Sequence, residues 1–120
     1  MSDPNLVLLI VFVGTGLLLI GLSIPLLRNR VPPNPWYGFR VARTLKNPAV
    51  WYPANAYSAK GLLWVGVATT VAAIVPQFVG EVDEGTYAAL VTGVLMVGVF
   101  ATLGASFAYL RRLDDDGNLK

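Results

Sequence analysis

The sequence predicts an all-α integral membrane protein, a three-helix bundle with a cytoplasmic loop and interfacial helix between its first two spans. Three observations carry that expectation. Charged residues make up 13% of the 120 residues, against about 25% in a typical soluble domain. The charges are segregated: apolar stretches of about twenty residues separate short charged segments, the pattern of membrane spans rather than of a soluble core. Every Lys and Arg also falls on one side once the three stretches are threaded across a bilayer.

The first apolar stretch runs from Leu6 to Leu27. As a helix it covers roughly 33 Å, enough to cross the hydrocarbon. Asp3 can cap it, with Pro4 at the first helical position. It reads as an anchor rather than a cleaved leader, because it lacks a basic start and a small-residue cleavage site, and Arg28 and Arg30 follow it. The second span is expected at about 61–79, with Pro76 bending or ending its last turn and Gly80 as C-terminal cap. The third is expected at about 87–110, capped by Asp83 or Thr86 and closed by Arg111 and Arg112. The division is one three-span membrane domain over 1–113, followed by a polar tail over 114–120.

Orientation follows from the basic residues. Arg28, Arg30, Arg40, Arg43, Lys46 and Lys60 lie between the first two spans, with no acid among them. Arg111, Arg112 and Lys120 end the chain, whereas the second connection carries Glu81, Asp83 and Glu84. The N-terminus is therefore expected outside and the C-terminus in the cytoplasm.

Helix pairing in lipid relies on close packing of small residues, since burial alone gives no preference over acyl chains. The third span offers Ala89, Gly93, Val97, Ala101 and Ala105 along one face, the second Gly66, Thr70 and Ala73, and the first Gly14 and Gly21. These faces are expected to meet within one bundle; the alternative is a homo-oligomer contact. No predicted span carries an ionisable residue in its interior, which speaks against a proton-coupled pump or ion channel. Cysteine and histidine are both absent. That removes disulfides, thiolate chemistry, the usual general base and the commonest metal ligand. No catalytic residue, metal or cofactor is expected.

The loop from Arg28 to Lys60 holds nearly all the remaining information. Pro32, Pro33 and Pro35 enforce an extended entry. Trp36, Tyr37 and Phe39 follow, with Gly38 letting the backbone turn. Arg40, Arg43 and Lys46 recur every third residue, so a helical turn places them on one side. Asn47-Pro48 signals a helix start that can run into the second span, with Pro53 marking a bend. Trp51, Asn55 and Ser58 or Ala59 then share a face. One reading makes the loop a membrane-surface segment, its aromatics at headgroup level and its cations on anionic lipid. The other makes it a docking site, with Arg40 and Arg43 meeting an anionic group while Trp51 and Asn55 shape a pocket. The cations' partners are lipid phosphates, helix C-terminal carbonyls, Asp114–Asp116 or another molecule. Nucleic acid is not an expected partner, because the adjacent spans assign the same residues to the membrane surface.

The loop resembles the SdpI family of prokaryotic membrane proteins. The resemblance rests on Asn34, Tyr37-Gly38-Phe39-Arg40, Arg43-Thr44-Leu45-Lys46-Asn47, Trp51, Asn55 and Gly61, with Val41 where the family usually has threonine. It covers the three-span unit from about Leu6 to Leu110. The family's founding member is an immunity protein that protects against a secreted, membrane-attacking peptide toxin and holds a transcriptional repressor at the membrane. The resemblance thus implies a non-enzymatic immunity-like protein that binds a toxin, a lipid or a partner. The candidate binding residues are Asn34, Tyr37, Gly38, Arg40, Arg43, Asn47, Trp51 and Asn55. The alternatives are an accessory or scaffold subunit of a larger membrane complex, and a small transporter.

Overall fold

A computed structural model of the protein describes the backbone from Asp3 to Lys120 and the side chains from Leu6 onward. The expected Asp3 cap lies outside the described side chains. The helices are α1 (Asp3–Leu27), α2 (Ala42–Lys46), α3 (Pro48–Ile74), α4 (Pro76–Val79) and α5 (Glu84–Arg111). The only β-pairing among the described residues is an isolated antiparallel bridge, Leu113 with Leu119.

α1, α3 and α5 are long and apolar enough to cross a membrane. In their most apolar stretches only 11%, 22% and 6% of the residues are buried inside the protein. The rest of that apolar surface needs hydrocarbon around it, as a membrane span requires. The molecule measures 53 × 22 × 19 Å, so its long axis exceeds the roughly 30 Å of a bilayer's hydrocarbon. The excess is the first loop, α2 and the C-terminal tail, gathered at one end.

α3 is central and packs antiparallel against both other spans. It meets α1 where two glycines cross: a Cβ on Gly16 would lie 2.8 Å from the Gly66 carbonyl oxygen, and one on Gly66 would lie 2.7 Å from that of Gly16. It meets α5 where Gly98 faces Val65 and Gly61 faces Thr102. The pairing expected from the small residues is corrected here. Gly14, Gly21 and Gly93 face open space, and Ala89, Val97, Ala101 and Ala105 are exposed. Ala89, Gly93 and Val97 therefore point away from the bundle, while Ala101 and Ala105 line an open groove beside α3. α5 is rotated so that Gly98 and Thr102, one turn apart, take the contact instead. Of the expected faces, Gly66, Thr70 and Ala73 of the second span do lie at helix contacts: Thr70 lies beside Gly16, and Ala73 packs with Tyr87 and Val91.

The far end is closed by aromatic and polar ties. Phe12 meets Tyr87 edge-to-face at 5.8 Å, and the Tyr87 hydroxyl donates to the Ala73 carbonyl at 2.7 Å. Asp83 caps α5 by accepting from the Thr86 N–H at 3.1 Å. Hydrogen bonds from Thr86, its side chain first and then its N–H, hold the Asp83 carboxyl below its ordinary pKa. Gly80, at φ 134°, ends α4 as expected. The hydroxyls of Thr15, Thr70 and Ser106 bond their own helices, to Val11 O, Gly66 O and Thr102 O, which satisfies them without a neighbouring helix; that of buried Thr69 has no partner among the described residues.

The helix signalled by Asn47-Pro48 runs on into the second span, which ends at Val79 as expected and is broken only ahead of Pro76. α3 begins at Pro48, runs unbroken through Pro53 and stops at Ile74, and Pro76 opens the short α4. Pro53 has no N–H to give the Ala49 carbonyl. Gly117 of the tail sits against that same carbonyl, too close for any side chain, in a backbone of φ 81°. Lys60, counted above with the loop, consequently stands in the body of α3.

Candidate functional site

The loop that carries the candidate residues folds back over the start of α3 and the end of α5 and forms a closed cap. Asn34 makes its first turn. Its side-chain oxygen accepts from the N–H groups of Trp36 (2.8 Å) and Tyr37 (2.9 Å), and its amide donates to the Pro32 carbonyl (2.8 Å). This is the local bonding for which Asn is favoured in turns. The Asn34 carbonyl accepts from Arg40 Nε at 2.8 Å. Tyr37 is half-buried beside this turn.

Gly38 carries the chain onto α3 at φ 121°, where a Cβ would lie 2.8 Å from Asn55 Oδ1 and 3.1 Å from the Trp51 ring. Both the conformation and the space select glycine. That approach brings the Phe39 backbone onto the Asn55 amide. The Phe39 N–H donates to Asn55 Oδ1 at 2.6 Å, and Asn55 Nδ2 donates to Trp51 O at 3.0 Å and to Phe39 O at 3.4 Å. Asn55 is 1% exposed and Trp51 is 0% exposed, so Asn55 replaces the water that the buried Phe39 backbone would otherwise need. The Trp51 indole N–H donates to Val31 O at 2.7 Å, tying the proline-rich entry to α3. The expected shared face of Trp51, Asn55, Ser58 and Ala59 exists and is buried. It forms no open pocket, because the loop fills the space.

The Phe39 ring enters a cluster with Val50, Ala54, Leu110 and Leu113 and meets Phe107 edge-to-face at 5.1 Å. Thr44, quoted in the family-like motif but not among the candidate residues, is fully buried. Its hydroxyl donates toward Phe39 O (2.8 Å) and Val41 O (3.0 Å) and accepts from the Val41 N–H (3.0 Å). It therefore starts α2 and holds it to the loop.

The three cations do not share a helical side as expected. Arg40 lies before α2, ahead of the extended N-cap Val41, and is exposed, while only Arg43 and Lys46 lie within the helix. Arg43 turns inward. Its two terminal nitrogens donate to the Leu110 and Leu113 carbonyls, at the end of α5, where the helix leaves carbonyls unpaired and carries partial negative charge. Asp115 stands 3.9 Å away with a side chain that is 96% exposed, too solvated to contribute much. Arg43→Ala is expected to cost about 2 kcal/mol, the scale of hydrogen bonds to a charged donor. Lysine there recovers only part of that, because it lacks the planar fork. Asp115→Ala should change stability by about 0–1 kcal/mol. Unfolding in a denaturing detergent, followed by circular dichroism, measures all three.

Asn47 caps α3 by accepting from the Ala49 N–H (3.0 Å), and its amide donates to Asp115 O (2.7 Å). The tail is thereby part of the cap. Leu113 is fully buried. Asp114 Oδ1 accepts from the Asp116 and Asn118 N–H groups, both at 2.9 Å, and the chain turns back at Gly117. A polar, charged stretch of seven residues gave no sequence signal for this beyond Asp-Gly-Asn.

The structure thus brings Asn34, Gly38, Arg43, Asn47, Trp51 and Asn55 together as the ties of one cap, with Tyr37 at its side. Arg40 stands on the outer surface with Trp36, which is 84% exposed. A family model described as the SdpI/YfhL protein family matches residues 30–109, which take in the loop side of the cap, α3, α4 and nearly all of α5. No curated protein and no solved structure matches the chain.

Proposed function

Because the chain belongs to the SdpI/YfhL family, we propose that it is a non-enzymatic, immunity-type protein of the cytoplasmic membrane. It acts by binding a peptide toxin, a lipid or a protein partner at the cytoplasmic face. The family match is the observation that supports this reading. Within the cap, Arg40 is the candidate with its charge free for an anionic group, since its side chain is exposed and its one hydrogen bond is made by Nε. The others are engaged in holding the loop. Expression in a strain sensitive to a membrane-active peptide toxin tests the proposal. Survival should rise with the wild-type chain and fall back with Arg40→Ala, whose membrane level stays normal. Unchanged killing with the protein present in the membrane rejects it.

The same reading places the cap in the cytoplasm, following the excess of basic residues at that end. A cysteine introduced at Gly85, in a chain that has none of its own, should react with an impermeant reagent on intact cells. Reaction only after permeabilisation reverses the orientation.

A second reading, a scaffold subunit of a larger complex, draws on the outward stripe of Ala89, Gly93 and Val97, which lets another helix approach closely. Extraction in mild detergent with a stoichiometric partner favours it; a lone monomer or homodimer does not.

A further inference from the structure

Lys60 and Arg111 are the only basic residues within α1, α3 and α5, and Arg111 ends its helix. Lys60 stands twelve residues after the start of α3, on its exposed surface, and makes no hydrogen bond or ion pair among the described residues. A cation in the body of a span is costly and commonly marks a site. No acid occurs between Asp3 and Glu81, so neither the cap's first loop nor α3 has an anion to offer it.

Lys60 borders a groove of about 330 Å³ between α3 and α5, near the lower end of the roughly 300–1,000 Å³ usual for ligand sites. Tyr57, Gly61 and Trp64 form the α3 wall, and Ala101, Thr102 and Ala105 the α5 wall. Thr102 fits against Gly61 and closes the floor, while the two alanines keep the α5 wall low. Tyr57 is stacked on Tyr109 at 4.1 Å with planes 3° apart, which fixes the loop end of the groove. Trp64, 70% exposed, flanks it about two turns deeper along α3. Helical side chains lean toward their helix's N-terminus. For α3 that is the loop end, so the Lys60 ammonium is aimed at headgroup level while its stem stays along the groove.

We propose that this groove holds an anionic phospholipid from the leaflet at the loop end, its phosphate on Lys60 and an acyl chain between Trp64 and the alanines. A cationic rim, aromatic walls at interface depth and an apolar trough match the three chemical parts of that ligand. A second copy of the chain fits less well: a symmetric contact here would bring two Lys60 side chains together with no acid to separate them. The proposal stands independently of whether the chain confers toxin resistance.

Brominated lipids quench tryptophan on contact. In a Trp36→Phe background the remaining rings are Trp51, which is buried, and Trp64. The chain is reconstituted in phosphatidylcholine vesicles with increasing brominated phosphatidylglycerol, or with brominated phosphatidylcholine as reference. Quenching by phosphatidylglycerol should show about fivefold preference, the scale of one basic residue at a charged surface. Lys60→Gln should abolish the preference. Ala105→Phe, which fills the groove and leaves the charge, should abolish it too. Both positions are exposed, and circular dichroism verifies that each variant keeps its helices. Equal quenching by the two lipids in the wild-type background overturns the proposal. So does a preference that survives Ala105→Phe, which means that Lys60 only reaches bulk headgroups. High-yield disulfide linkage through Ala101→Cys, whatever the lipid, assigns the groove to a second copy instead.

Discussion

Gly66→Leu is expected to separate α1 from α3 and to cost about 3 kcal/mol or more, the upper range for overpacking a close contact. The reason is backbone proximity. A Cβ at Gly66 would press on the Gly16 carbonyl oxygen and on Ile20, whose Cγ1 it would approach to 2.8 Å. A carbonyl in a helix cannot rotate away without breaking its own hydrogen bond, so the helices must move apart. In lipid no hydrophobic term opposes that, because the surfaces exposed are as well solvated by acyl chains as by each other. Gly14→Leu, two residues from the same crossing but facing open space, should be nearly silent. Detergent-induced unfolding of the two variants, compared with wild type, checks the pair. Equal effects would mean that the crossing is not where the Gly16–Gly66 contact puts it.

Asn55→Ala is expected to open the cap without dispersing the spans. Its loss leaves the Phe39 N–H and carbonyl, both buried, without the Asn55 amide. An unsatisfied buried group costs about 1–3 kcal/mol, and Thr44 still serves the Phe39 carbonyl, so the expected cost is about 2–3 kcal/mol, carried mainly by the N–H. Proteolysis of the 31–47 loop should accelerate while the α1–α3 and α3–α5 contacts persist. Arg40→Ala, at an exposed side chain with one surface bond, should stay within about 0.5 kcal/mol of wild type. Comparable protease sensitivity of the two variants would contradict the separation of inner ties from outer surface.

The three spans were legible because length and apolarity suffice to define a span, and Asp83 and Gly80 were legible as caps because their chemistry is local. The continuity of α3 was only half visible. Asn47-Pro48 announced its start, but Pro53 signalled a bend. The helix nevertheless runs straight through it, and the Ala49 carbonyl that Pro53 leaves without an N–H lies against Gly117 of the tail, a contact far away in sequence that no local pattern shows. Helix faces were the least legible feature. Small residues at spacing four occur on two sides of α5, and the choice of Gly98 and Thr102 over Ala101 and Ala105 depends on the shapes of Val65 and Gly61 opposite. The loop motif was legible as a cluster, with its direction hidden. Trp51 and Asn55 have the composition of a pocket lining, and the chain itself fills that space by turning at Gly38.

The family-like residues close the cap from within, through the bond from the Phe39 N–H to Asn55 Oδ1. Amide hydrogen exchange at Phe39, measured by NMR in lipid nanodiscs, tests it most directly. Exchange should be as slow as that of the amides in the first turns of α3, rising to the rate of an open loop in Asn55→Ala. Exchange at the open-loop rate in the wild-type chain would contradict it.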